Sequence, residues 1–97
     1  MLRVSIHAAA EIDAREAWLW YRARSSVAAE AFEVEVVRAI EAIAEAPERW
    51  PERADGIRRY AMRRFPFIVI FRIEVDDVRV LAIQHGRRRP GYWKRRE

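Results

Sequence analysis

The chain opens with Leu2, Val4 and Ile6 alternating with Arg3, Ser5 and His7, a period of two that predicts a half-buried strand over 2–7. The pattern then changes. "AAAEIDAREAWLWYRAR", from Ala8, contains no Gly or Pro and reads as a helix. At 100° per residue Glu11, Arg15 and Arg22 form a narrow polar wedge, and Ala10, Ala14, Ala17 and Tyr21 line a stripe. The apolar surface exceeds what one sheet can cover, so part of Trp18, Leu19 and Trp20 is left for a second helix or a partner. Ser25 and Ser26 are candidate N-caps of a second helix, from about Val27 to Ala46, which Pro47 stops. Ala29, Phe32, Val36, Ala39, Ile40 and Ile43 form its core stripe. "APERWPERADG" reads as a loop that Trp50 pins to the core.

After Gly56 the period returns to two. In "IRRYAMRR" Tyr60 and Met62 face one way and Arg59, Ala61 and Arg63 the other. "FIVIFRIEV", Phe67 to Val75, is apolar enough for a central strand covered on both faces. Asp76-Asp77 forms a tight connection to a last strand, "VRVLAIQH", from Val78 to His85. The predicted fold is α+β: a single domain over 1–97, ordered β-α-α-β-β-β, with a small, mostly antiparallel sheet against an N-terminal helical hairpin.

Composition narrows the class. With 52% apolar and 35% charged residues the 97-residue chain is foldable, and its size permits one core. The absence of cysteine removes disulfides and thiolate metal sites and fits a reducing compartment. No apolar stretch approaches the roughly 20 residues of a membrane helix, so a cytoplasmic protein without membrane contact is expected. Charge is segregated: residues 1–56 hold seven arginines against eleven acids, net −4, and residues 57–97 hold twelve cations against four acids, net +8. Such asymmetry predicts a positive face for a polyanion or an acidic partner segment. Arginine supplies all but one of the cations, which favours bidentate contacts to phosphate or carboxylate.

Several kinds of chemistry find no support. There is no GxGxxG or P-loop to cradle a nucleotide, so no cofactor is expected. His7 and His85 are far apart in sequence and lack paired carboxylate spacing, which predicts no metal site. Ser5, Ser25 and Ser26 fall in a strand and a cap, where structural roles suffice. The basic C-terminal half remains. Arg63 and Arg64 close the second strand, and Arg87, Arg88 and Arg89 follow the last, so a meander gathers them as candidate target- or anion-binding residues. His85 is a candidate proton shuttle, or else ends its strand by satisfying a backbone group. Tyr92 and Trp93 either stack on bases or fold back after Pro90-Gly91, and packing is the expected fate of Trp93.

The order of elements, with "WYRAR", "AFEVEVVRAIEAIAEAPERWP", "RRFPFIVIFR" and "HGRRRPGYW", resembles the RelE/ParE superfamily of type II toxin–antitoxin toxins, and within it the ParE-like, plasmid-stabilisation branch. The resemblance covers nearly the whole chain. It implies growth inhibition, a cognate antitoxin that neutralises the toxin in a hetero-oligomer, and one of two targets. ParE-like members poison DNA gyrase by binding; RelE-like members cleave mRNA in the ribosome with basic residues, a central-strand arginine and a C-terminal Tyr or His. Here the central-strand position holds Ile68, which favours the gyrase branch and a non-enzymatic inhibitor. In the alternative, a metal-independent endoribonuclease, His85, Arg63, Arg64, Arg87 and Tyr92 would be the catalytic set, with Arg72 or Arg64 standing for the missing arginine. Trp18, Leu19 and Trp20 are the expected antitoxin-binding residues.

Overall fold

The computed structural model describes residues 2–89 and 91–96, so the Pro90 of the expected C-terminal turn lies outside the described residues. The expected order of elements is present: β1 (Arg3–Ile6), α1 (Ala8–Arg22), α2 (Ser26–Glu45), β2 (Ile57–Ala61), β3 (Phe67–Ile73) and β4 (Asp77–His85). Side chains begin both helices. His7 Nδ1 accepts the Ala9 N–H at 3.0 Å and Ser25 Oγ accepts the Ala28 N–H at 3.2 Å, satisfying donors that an α-helix leaves free in its first turn.

The four strands lie in the order β1-β4-β3-β2. β2, β3 and β4 form the antiparallel meander, and β1 joins it in parallel beside β4. The helical hairpin covers one face. There Phe32, Ile43, Val69, Phe71, Val78 and Val80 are almost wholly buried, with Ala10 and Ala17 from α1. Tyr21, Phe32, Phe65 and Phe67 pack as a ring cluster whose centroids lie 5.1–6.4 Å apart. A smaller cluster of Ile57, Ile70, Leu81, Ala82 and Trp93 occupies the opposite face, so β3 and β4 are covered on both sides. Trp50 does pin the loop, its ring 5.2 Å from Tyr60 and 6.1 Å from Phe71.

Two strand ends differ from the sequence reading by more than one residue, and one strand carries an irregularity that the sequence reading did not contain. β2 stops at Ala61, because the Met62 N–H turns to the Phe67 carbonyl at 3.0 Å. Arg63 and Arg64 therefore stand exposed in the β2–β3 connection and do not close a strand. β3 ends at Ile73, and Val75 is fully exposed at the hairpin tip. The third difference lies inside β4, where Val80 pairs with Phe71 and Ala82 with Ile70, which leaves Leu81 as the extra residue of a bulge. The bulge shifts the alternation by one, so Val78 and Val80 face the helices before it and Ile83 after it.

A candidate functional cleft beside an internal carboxylate

β1 is too short to cover β4. Its pairing ends at Ile6 opposite Val80, and the backbone groups of β4 beyond that point need other partners. α1 supplies one of them. Asp13 stands one helical step from Ala10 and Ala17 on the buried stripe, and its Oδ2 accepts the Ile83 N–H at 3.0 Å. The C-terminal turn supplies the other: Arg96 donates to the Leu81 carbonyl at 2.9 Å and grips Asp13 with two N–H groups, at 2.7 and 3.2 Å. Tyr92 adds its hydroxyl to Asp13 Oδ2 at 3.1 Å. The Asp13 carboxylate thus joins α1, β4 and the C-terminal turn through four hydrogen bonds, two of them from a guanidinium. Trp93 closes the far face, buried, its indole N–H 3.0 Å from Gln84 Oε1. The expected packing of Trp93 holds.

Beside this carboxylate opens a cleft of about 710 Å3 between α1, the β2–β3 connection and the turn after β4. Ala17, Tyr21, Phe67 and Ile83 contribute its apolar lining; Glu16, Trp20, Arg87 and Arg88 stand at the rim, and His85 and Tyr92 reach in. Trp20 is 54% exposed, with the Arg24 guanidinium 3.6 Å above its ring centroid. Arg88 lies 4.0 Å over the Tyr92 ring, and the Gly86 N–H to the Pro66 carbonyl ties the two connections at 2.8 Å.

The two proton-bearing groups of the cleft are both engaged. His85 Nδ1 accepts the Arg87 N–H at 2.9 Å, so its unshared pair caps the turn, and the ring packs edge-on to Phe67 at 4.9 Å. Burial, then the negative charge of Asp13 and the hydrogen bond to it, push the Tyr92 hydroxyl up to about 12, against smaller opposing effects of Arg96 and Arg88. Tyr92 stays protonated at neutral pH and points that proton inward. The hydrogen bond to Asp13 likewise pushes the Arg96 guanidinium up.

The candidate residues divide accordingly. His85, Arg87, Tyr92, Arg88 and Trp20 meet at one cleft; Arg63, Arg64 and Arg89 are exposed and do not line it. Leu19 is 49% exposed next to Trp20, whereas Trp18 is half-buried on the other side of the helix, in a shallow groove with Phe32, Val36 and Val37. Two positions along a helix turn the side chain by about 200°, so Trp18 and Trp20 cannot share a surface. Ile68 packs into the cluster on the far face, and Arg72 pairs with Glu74 at 2.9 Å and lines a different cavity. Neither position contributes to the cleft. Asp13 and Arg96 were not singled out from the sequence; an acidic residue on an otherwise apolar stripe is the signal that marks the first of them.

Among the described residues no group of His, Asp and Glu could hold a metal ion, and no helix is long and apolar enough to cross a membrane. A search of curated protein sequences returned no match. Among solved structures, one described as the chromosomal ParDE TA system from P. aeruginosa superposes with a TM-score of 0.76 at 19% identity, over 88% of this chain and 96% of that one. At that identity the likeness speaks for the fold. The sequence profile of the ParE toxin of the type II toxin–antitoxin system parDE matches residues 4–90, nearly the whole chain, and this protein belongs to the ParE toxin family.

Proposed function

We propose that this ParE-family toxin arrests growth by binding DNA gyrase in the cytoplasm, as a non-enzymatic inhibitor, and that a cognate antitoxin neutralises it in a hetero-oligomer. The observation that carries the inhibitor reading is the state of the cleft. The Tyr92 hydroxyl donates a hydrogen bond to Asp13 and His85 Nδ1 accepts one from the Arg87 N–H, so both candidate acid–base groups are committed to internal hydrogen bonds. At its rim the cleft presents Arg87 and Arg88 beside Trp20, with the exposed Glu16 as the acidic counterpart on α1, a charged and aromatic rim that suits recognition of a macromolecule. Leu19 and Trp20, large and half exposed, are the surface offered to an antitoxin segment.

Induction without the antitoxin is expected to stop growth with DNA-damage signalling, and the purified protein to block supercoiling by gyrase. His85→Ala is expected to retain toxicity. Unchanged supercoiling together with cut messenger RNA, abolished by His85→Ala, would overturn the reading in favour of a ribosome-dependent endoribonuclease.

A further inference from the structure

On the sheet face away from the helices a second concavity, about 420 Å3, opens between β2, β3, the loop before β2 and the C-terminal turn. Five cationic side chains line it, Arg53, Arg59, Arg72, Lys94 and Arg96, against one carboxylate, Asp55. Two of the five are already matched, Arg72 by Glu74 at 2.9 Å and Arg96 by Asp13 at 2.7 Å. Arg53, Arg59 and Lys94 have no side-chain hydrogen bond or ion pair among the described residues. Set against Asp55, they leave an excess of two positive charges.

Arg59 adds a directional feature. Its Nε is buried and has no hydrogen-bond partner, although buried donors are nearly always satisfied. The Arg58 Nε shares that condition, but the rest of its guanidinium is engaged by the Trp50 carbonyl at 2.6 Å and by Glu52 at 3.3 Å. Arg59 has no such anchor. Lys94 is held near by the backbone of the turn: Gly91 has φ +76°, and a Cβ there would lie 2.9 Å from Lys94 Cε, so the lysine stem folds back over the glycine. Ile57, Leu81 and Trp93 also line the cavity and belong to the second core, which gives the charged groups a fixed frame.

We infer that this concavity binds a dianionic phosphoryl group, borne by free phosphate or by a phosphate monoester such as a 5′-nucleotide. Two charges in excess match a dianion, and guanidinium forks match the spacing of phosphoryl oxygens. An internal phosphate of duplex DNA brings one charge and sits on a convex rod, which fits a cavity of this size poorly. The site faces away from the cleft and does not depend on gyrase being the target.

Amide NMR of the whole protein tests it, with inorganic phosphate, adenosine 5′-monophosphate and dimethyl phosphate titrated separately. Saturable shifts at Arg59, Gly91 and Lys94 are expected with the first two, weakened about tenfold in Arg59→Gln and in Lys94→Gln. Lys94 is exposed, so Lys94→Gln keeps the test open if Arg59→Gln fails to fold. Tighter binding of the nucleotide than of phosphate identifies a monoester ligand; equal binding identifies phosphate itself. The inference is overturned if neither probe gives saturable shifts in the folded protein, if Lys94→Gln leaves them unchanged, or if dimethyl phosphate, a monoanion, binds as well as phosphate. A failed gyrase assay would leave all of these outcomes untouched.

Discussion

Asp13 is 9% exposed and accepts from a backbone amide, a phenol and a guanidinium, so removing it strands three donors at once. Breaking a buried pair by deleting one partner costs about 3–5 kcal/mol, because the other charge is left uncompensated. Asp13→Ala is expected to lie near the lower end of that range, since Arg96 retains some solvent contact, its side chain being 16% exposed. Urea unfolding of Asp13→Ala, Arg96→Met and the double variant measures it, and a double variant no worse than Asp13→Ala alone is the expected sign of coupling. The same contact sets a pH window. Tyr92 titrates near 12 in the folded protein against an ordinary 10, so the folded state favours its protonated form. Its contribution is whole below pH 10 and is lost as pH rises from about 10 towards 12. Thermal midpoints followed across that range should fall more steeply for the native chain than for Tyr92→Phe, which cannot ionise there.

At the level of elements, β4 decides the architecture. It lies between β1 and β3, faces a core on each side, and carries the bulge at Leu81. The second helix and the first strand were legible because their periods are clean: 3.6 along Ala29, Phe32, Val36, Ala39 and Ile43, and two along Leu2, Val4 and Ile6. The bulge was not, since "VLAI" is apolar on both faces of a doubly covered strand and alternation vanishes there. Strand ends were missed for a related reason: Arg63 and Arg64 extend the polar pattern of β2, but the turn is fixed by the Met62 N–H reaching Phe67, a contact made across the connection. The fate of Trp93 was legible from its size. It is the main cover of the second core, so Trp93→Ala is expected to cost about 3–5 kcal/mol, as large aromatic truncations do, and to expose Ile57, Ile70 and Leu81. Binding of a hydrophobic dye together with a lowered unfolding midpoint would record both effects.

Over the whole molecule, charge is segregated between the two halves of the chain and large apolar side chains stand exposed on α1. The net +8 of residues 57–97 was visible by counting, but which arginines act together was not, because pairing depends on contacts remote in sequence. Arg96 turns inward to Asp13 and Arg72 to Glu74, while Arg87 and Arg88 remain at the rim of the cleft beside Trp20. The expected antitoxin residues split in the same way: Leu19 and Trp20 are about half exposed, and Trp18 is packed against the core. A charge introduced at the first two should therefore act on binding, and at Trp18 on folding. A well-placed aromatic anchor is worth 2 kcal/mol or more, about thirtyfold in affinity, so Leu19→Glu with Trp20→Glu is expected to weaken antitoxin capture at least that much. The circular dichroism spectrum should stay unchanged. Arg87→Gln with Arg88→Gln should instead reduce the salt dependence of capture, since the attraction of exposed charges is screened by salt, over a length of about 8–10 Å near physiological ionic strength. Capture by immobilised antitoxin at two salt concentrations separates these effects. Full binding by the folded Leu19→Glu, Trp20→Glu variant would remove this helix face from the interface and leave the cleft arginines as the remaining point of attachment.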